Sequence, residues 1–417
     1  MKKFVAVPVV LLLSLILAVA ATASTSSNVT IVSQPGITAY GPLDHYAPPG
    51  SPDWGAPTTA VETWVHPSWA AQVSVPDATW IATSYYTEDP KVDSWRLFHA
   101  EMVVACTAQS ITNGHLYVTS DNAEEAYFNG VLLGVDGIVD GPADHGYWWS
   151  TVLDYPLNPV PGTNTFDFIV RNYIPRPNLI PRATPQSNPT GIIYRATVDY
   201  TLPEVVPGTA SEGKLSFQLS DGSAVLTGVT EGFSLTVTDS EGNTIGTWDA
   251  TALSFDAGTG TFSVMFPILY GVTYTATITD NCTGETLGAF DFTGSASGTG
   301  TLGYWKNHPN AWPVSEIVIG GVTYTRDEAI AIMKTSGSRD VTYKMFKQLV
   351  AAKLNTYIGN DASCIADTIA AADVWMATYG PVGSGVKSKS PAWQNEGAAL
   401  HEALDAYNNG LLCAPHR

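Results

Sequence analysis

The stretch Leu116-Tyr117-Val118-Thr119-Ser120-Asp121-Asn122, followed by Ala126-Tyr127-Phe128-Asn129-Gly130-Val131, decides the reading of the N-terminal half. Apolar and polar residues alternate in both runs, the period of a strand with one buried face. Asn129-Gly130 sits between strand-like runs, and Asn-Gly is the strongest short hairpin signal because both positions tolerate positive φ. The same alternation recurs at Thr79–Thr83, Thr165–Val170 and Ile192–Tyr200, with Gly, Pro, Asn and Asp between the runs. An antiparallel sandwich is expected from about Asn28 to Leu202.

Outward from that stretch come Tyr155-Pro156-Leu157 and Gly162-Thr163-Asn164-Thr165. In this order the segments resemble the galactose-binding-like jelly rolls attached to many secreted glycosidases and adhesins, over roughly residues 75–202. The resemblance implies a jelly-roll β-sandwich whose sugar contacts come from variable loops. Residues 28–74, rich in Pro and Trp, either add edge strands or form a lead-in.

Residues 203–298 read as a second sandwich, immunoglobulin-like or prealbumin-like in size, after a linker-like stretch Val205–Gly213. Few aromatics and no clustered polar set suggest a spacer. Gly294–Gly300 reads as a small-residue hinge. Beyond it the period becomes helical at Arg326–Thr335, Thr342–Ile358, Ser363–Tyr379 and Ala392–Asn408. Gly303-Tyr304-Trp305-Lys306-Asn307-His308-Pro309, with Trp312-Pro313-Val314, resembles a largely uncharacterised module of secreted bacterial and archaeal surface proteins. That module carries no known chemistry. The expected organisation is a signal segment 1–23, a jelly roll 24–202, a β-sandwich spacer 203–298 and a helical module 299–417. The fold class is therefore mainly β with an α-helical C-terminal domain.

Lys2 and Lys3, an apolar run Phe4–Ala20 and Ala21-Thr22-Ala23 have the form of a cleaved secretory signal. A secreted or cell-surface location follows, with no transmembrane anchor in the mature chain. From Ser24 to Gly298 there are 7 Lys/Arg against 28 Asp/Glu, whereas Thr299–Arg417 balances at 10 and 10. Such acidity excludes nucleic acid, whose binding needs cations that displace counterions. Four cysteines fit an oxidising compartment. Cys364 and Cys413 are expected to pair, while Cys106 reads as a small buried hydrophobe. Asn28 and Asn281 lie in formal glycosylation acceptors.

Candidate chemistry is sparse. Glu124 and Glu125 are adjacent on a strand and point to opposite faces, a poor pair for glycoside cleavage. Asp136, Asp140 and Asp144 share a Gly/Pro-rich loop, so calcium is the candidate cofactor there. His401 and Asp405 lie one helical turn apart without a second histidine, and Ser384-x-x-Lys387 lacks its partner motifs. For a glycan, Tyr147, Trp148 and Trp149 form the best aromatic cluster, with Asp121 and Asn122 as polar neighbours. The expected function is non-enzymatic: adhesion to a glycan or cell-envelope polymer through the jelly roll. The alternatives are a self-associating coat or matrix subunit and a secreted hydrolase with an accessory carbohydrate-binding domain.

Overall fold

A computed structural model describes residues 25–143, 148–295, 297–337 and 339–417, with backbone alone at Ala71 and Trp148. The expected signal segment, Asp144 and Tyr147 lie outside the described residues. In chain order the first strands are β1 (Thr25–Val32), β2 (Thr38–Leu43), β3 (Thr58–Thr59), β4 (Val61–Glu62), β5 (Ile81–Ala82) and β6 (Ser94–Val104). They continue with β7 (Gln109–Asp121), β8 (Ala123–Phe128), β9 (Val131–Asp136), β10 (Leu153–Pro156), β11 (Gly162–Asn172) and β12 (Gly191–Leu202). One six-stranded sheet runs β10–β7–β12–β5–β4 with β1 also on β12; the other runs β3–β2–β6–β11–β8–β9. The two antiparallel sheets form a β-sandwich with non-sequential strand order, as expected for a jelly roll. Residues 28–74 are thus strands of both sheets rather than a lead-in.

Alternation works as the sequence implies. Leu116 and Val118 enter the core, whereas Tyr117 between them stacks on His115 with ring centres 5.9 Å apart. Phe128 meets Phe166 at 4.9 Å and Phe168 stacks on Tyr194 at 4.6 Å. Each such ring stabilises the sandwich by roughly 1.5–3 kcal/mol on burial.

The second sandwich holds β13 (Glu204–Ser211), β14 (Lys214–Ser220), β15 (Phe233–Asp239) and β16 (Thr244–Asp249), then β17 (Ser254–Asp256), β18 (Thr261–Met265), β19 (Thr273–Asp280) and β20 (Thr286–Thr293). Its four-stranded sheets are β13–β14–β18–β17 and β16–β15–β19–β20. The linker-like stretch is in fact mostly β13, because β14 pairs its backbone antiparallel across a turn at Glu212-Gly213, both at positive φ. Phe217, Phe233 and Phe262 form its aromatic centre.

The C-terminal helices are α1 (Leu302–Asn307), α2 (Arg326–Lys334), α3 (Thr342–Tyr357), α4 (Ala366–Tyr379) and α5 (Ala398–Asn408). Thr325 and Glu328 form a reciprocal capping box at the start of α2. Trp305 has no exposed surface and donates its indole N–H to Asn355 Oδ1 at 3.0 Å. Asn355 Nδ2 donates to Gly300 O and Asn408 Oδ1, each at 2.9 Å. The expected hinge is fixed here too: Gly300 N–H donates to Asn355 Oδ1 at 2.7 Å and Thr299 N–H to Pro415 O at 2.7 Å. Small side chains allowed these close approaches rather than freedom.

Cys364 and Cys413 are bonded, as expected. Cys106 is not a free buried thiol: it is bonded to Cys282, with Cα atoms 5.4 Å apart, and so joins the jelly roll to the turn between β19 and β20. An apolar neighbourhood hid that pairing, because the partner is 176 residues away in sequence. Among the described residues no helix is long and apolar enough to cross a membrane.

Candidate ligand-binding site

The β7–β8 corner, the loop after β5 and the long β11–β12 connection meet at one end of the jelly roll. Asp121 and Asn122 make that corner, and both are buried. Asn122 Oδ1 accepts the Tyr173 N–H at 2.7 Å, Asn122 N–H donates to Arg171 O at 2.9 Å, and Asn122 Nδ2 donates to Asp121 Oδ1 at 2.5 Å. Thr190 Oγ1 donates to Asp121 O at 3.0 Å. Burial pushes the Asp121 carboxyl up to about 8, against the opposing pull of a hydrogen bond from Trp69. The expected sugar-binding pair is therefore mainly a brace for the loops, with Asn122 alone reaching a cavity wall.

The aromatic cluster is also redistributed. Trp69 and Trp80 stack at 4.4 Å beneath the corner, and Trp149 packs against their apolar cluster. Trp148-Trp149-Ser150 form a single 3-10 turn. Tyr147 and the Trp148 side chain are outside the described residues. The aromatics exposed at this end are Tyr85 and Tyr86, at 51% and 43%, with rings edge-to-face at 4.7 Å. Thr63 Oγ1 bonds both Tyr85 O and Thr190 O, each at 3.2 Å, tying that pair to the β11–β12 connection.

That connection, Tyr173–Thr190, carries prolines at 175, 177, 181, 185 and 189. Proline presets φ and lowers the entropy lost on ordering. The loop is further stitched: Asn188 Nδ2 donates to Pro90 O and Tyr173 O at 3.0 Å each, and Arg182 N–H donates to Leu179 O at 2.9 Å. It encloses a cavity of about 200 Å³ lined by Asn122, Tyr173, Arg176, Leu179, Arg182 and Asn188 among others. Long loops that are ordered without regular structure are commonly functional. Sequence reasoning passed over Arg176 and Arg182; the signal was present as five prolines and two arginines with no acidic residue between Tyr173 and Thr190, in an otherwise acidic half.

The calcium set is not brought together among the described residues. Asp136 pairs in register with Glu124, while Asp140 is exposed. The loop carbonyls that would help hold a cation already face one: Arg171 Nη1 donates to Ile138 O at 2.9 Å and Gly141 O at 2.8 Å. The same guanidinium lies over Trp95 at 4.6 Å and pairs with Asp93 at 2.9 Å. Among the described residues, three potential metal ligands converge only at Cys106, Asp280 and Cys282. There the cysteines are bonded to each other, and the Asp280 carboxylate accepts backbone N–H groups of Cys106, Thr107, Cys282 and Thr283 plus the Thr107 hydroxyl. Burial would raise its pKa, but these donors hold it below the usual aspartate value.

The remaining candidates have structural partners. Glu125 accepts from Tyr46 and Tyr127 hydroxyls at 3.0 and 2.8 Å, on the face opposite Glu124. Glu124 has no exposed surface, and burial pushes its carboxyl up to about 8. Asp405 accepts from Gln348 Nε2 at 2.5 Å, while His401 faces the Trp393 ring and burial lowers its pKa. Ser384 donates to Pro381 O and Lys387 reaches Arg339 O, so the Ser-x-x-Lys match is not a working pair.

No family model matches the chain, and neither does any curated protein. Solved structures do. Faecalibacterium prausnitzii β-glucuronidase is 11% identical with a TM-score of 0.22, over 64% of this chain and 46% of that one. Ruminococcus gnavus β-glucuronidase is 10% identical, TM-score 0.22, over 64% and 45%. A calcium-binding mutant of Bacteroides uniformis β-glucuronidase 2 is 12% identical, TM-score 0.23, over 64% and 32%. The chain thus spans less than half the length of each of these structures. These neighbours are enzymes, and the expectation of a non-enzymatic protein is withdrawn on that finding. At such TM-scores the likeness assigns no reaction.

Proposed function

We propose that this chain is an exported carbohydrate-engaging protein whose jelly roll holds sugar at its loop end. One observation carries the reading: a proline-rich, internally hydrogen-bonded loop lines a cavity, and Thr63 ties that loop to the backbone of the exposed Tyr85–Tyr86 pair. Sugar C–H faces pack on aromatic rings, and amide and guanidinium groups bond the hydroxyls. The resemblance to galactose-binding-like jelly rolls agrees with a sugar in such loops. Export rests on the lysine-headed apolar N-terminus and two disulfides. A cell-envelope polymer or surface glycan is the partner class. The test is affinity electrophoresis of the full chain against neutral and acidic polysaccharides, with and without calcium. Tyr85→Ala with Tyr86→Ala should weaken retention by every polymer bound; retention of none sinks the reading.

A second reading, a secreted hydrolase with this sandwich as an accessory domain, is favoured by Glu124 and Asp136. They are cross-strand partners, and burial holds one of them protonated at neutral pH. Glycoside cleavage needs one acidic and one ionised carboxyl. Substrate reaches Glu124 only if the sandwich opens, since it has no exposed surface. Release of reducing sugar, abolished by Glu124→Gln, is the result that would favour this reading.

A further inference from the structure

Resting on the sugar-binding reading above, we infer that the cavity selects a carboxylate-bearing sugar residue, and that Arg176 and Arg182 hold its acid group. Between Ser24 and Leu202 the jelly roll carries six Lys/Arg against 17 Asp/Glu. Two of those cations, Arg96 and Arg171, are buried and paired with Glu88 and Asp93. Arg176 and Arg182 are both exposed, both line the same cavity, and among the described residues neither has an acidic partner. An acidic chain that gathers two unpaired guanidinium groups on one rigid wall has built a local anion site against its own field. Guanidinium matches carboxylate with two parallel N–H···O bonds. Asn188 and Leu179 complete the wall, one able to bond ring hydroxyls and the other, 44% exposed, able to cover a ring face.

The surroundings also limit what fits. At about 200 Å³ the cavity is smaller than the ~300–1,000 Å³ typical of sites for drug-sized ligands. One sugar residue is accommodated, not a chain. The jelly roll as a whole carries 17 acidic residues, so a densely charged polymer laid along it is repelled wherever like charges come within the ~8 Å screening length of physiological salt. A single uronate, at a chain end or flanked by neutral sugars, satisfies both limits.

The test uses the full chain and saturation-transfer NMR with titration. The probes are glucuronic and galacturonic acids, glucose and galactose, and galactose 6-sulfate. Binding of the uronic acids should exceed that of their neutral parents, and Arg176→Ala with Arg182→Ala should remove roughly tenfold or more of that affinity. The same variant should weaken retention on neutral polymers much less than uronate binding, while the Tyr85/Tyr86 variant weakens both alike. The corresponding double lysine variant keeps the charge and should recover only part of the loss. Equal binding of acid and neutral sugars, preference for the sulfate, or an arginine variant that binds uronate normally overturns the assignment while leaving the sugar-binding reading intact. Failure of every sugar and polymer overturns both.

Discussion

Replacing Glu124 by glutamine should make the protein more stable in alkaline solution, and the size follows from where that side chain lies. Glu124 points between the two sheets, accepts a hydrogen bond from Ser120 Oγ and faces Asp136 in register. Burial raises its carboxyl from an ordinary 4.5 to about 8, with Asp136 adding to the rise. In the folded chain it therefore stays protonated over a range where the unfolded chain has released that proton. Its contribution is full below pH 4.5, declines as pH rises through 8, and is flat beyond. At ~1.4 kcal/mol per pH unit the loss amounts to about 5 kcal/mol at most. Glutamine accepts from Ser120, offers N–H toward Asp136 and does not ionise. Wild type and Glu124→Gln should thus have similar urea midpoints near pH 4.5, and the variant should be more stable by several kcal/mol near pH 8.5. Asp121 titrates with the same sign but is present in both chains, so the difference isolates Glu124. Tryptophan fluorescence follows the transition, since Trp69, Trp80 and Trp95 are all buried in this unit. Parallel stability curves across that pH range would refute the assignment of a buried, protonated acid.

Two further outcomes test the framework. Cys106→Ser with Cys282→Ser removes a link closing 176 residues, for which chain entropy alone gives about 5 kcal/mol; calorimetry should show the jelly roll and spacer melting at separate, lower temperatures. Asn355→Ala orphans the Gly300 N–H, the Trp305 indole N–H and the Asn408 amide oxygen. At ~1–3 kcal/mol per buried unpaired group the helical module should lose about 3 kcal/mol or more, read as an earlier loss of the 222 nm helix signal.

Patterns of period two and period 3.6 were legible in the chain because they depend on near neighbours. Alternation at Leu116–Val118 and Phe166–Phe168, the Asn129-Gly130 turn and the four helical stretches all report local preference plus one buried face. The fold class followed from those patterns. The Cys364–Cys413 link was legible as well, since one cysteine precedes and the other follows two successive helices.

What only the folded chain decided is how residues far apart meet. Composition made Val205–Gly213 resemble a linker, yet a neighbouring strand pairs it. In the aspartate- and glycine-rich loop expected to suit calcium, Arg171, from a strand some thirty residues later, bonds the Ile138 and Gly141 carbonyls. Trp149, expected to meet a sugar, packs against the buried Trp69–Trp80 pair under the β7–β8 corner, because a large apolar ring gains from burial. Exposure, pairing and charge environment are properties of three-dimensional proximity. The site accordingly emerged at Arg176 and Arg182, whose significance depends on being the unpaired cations that share one cavity.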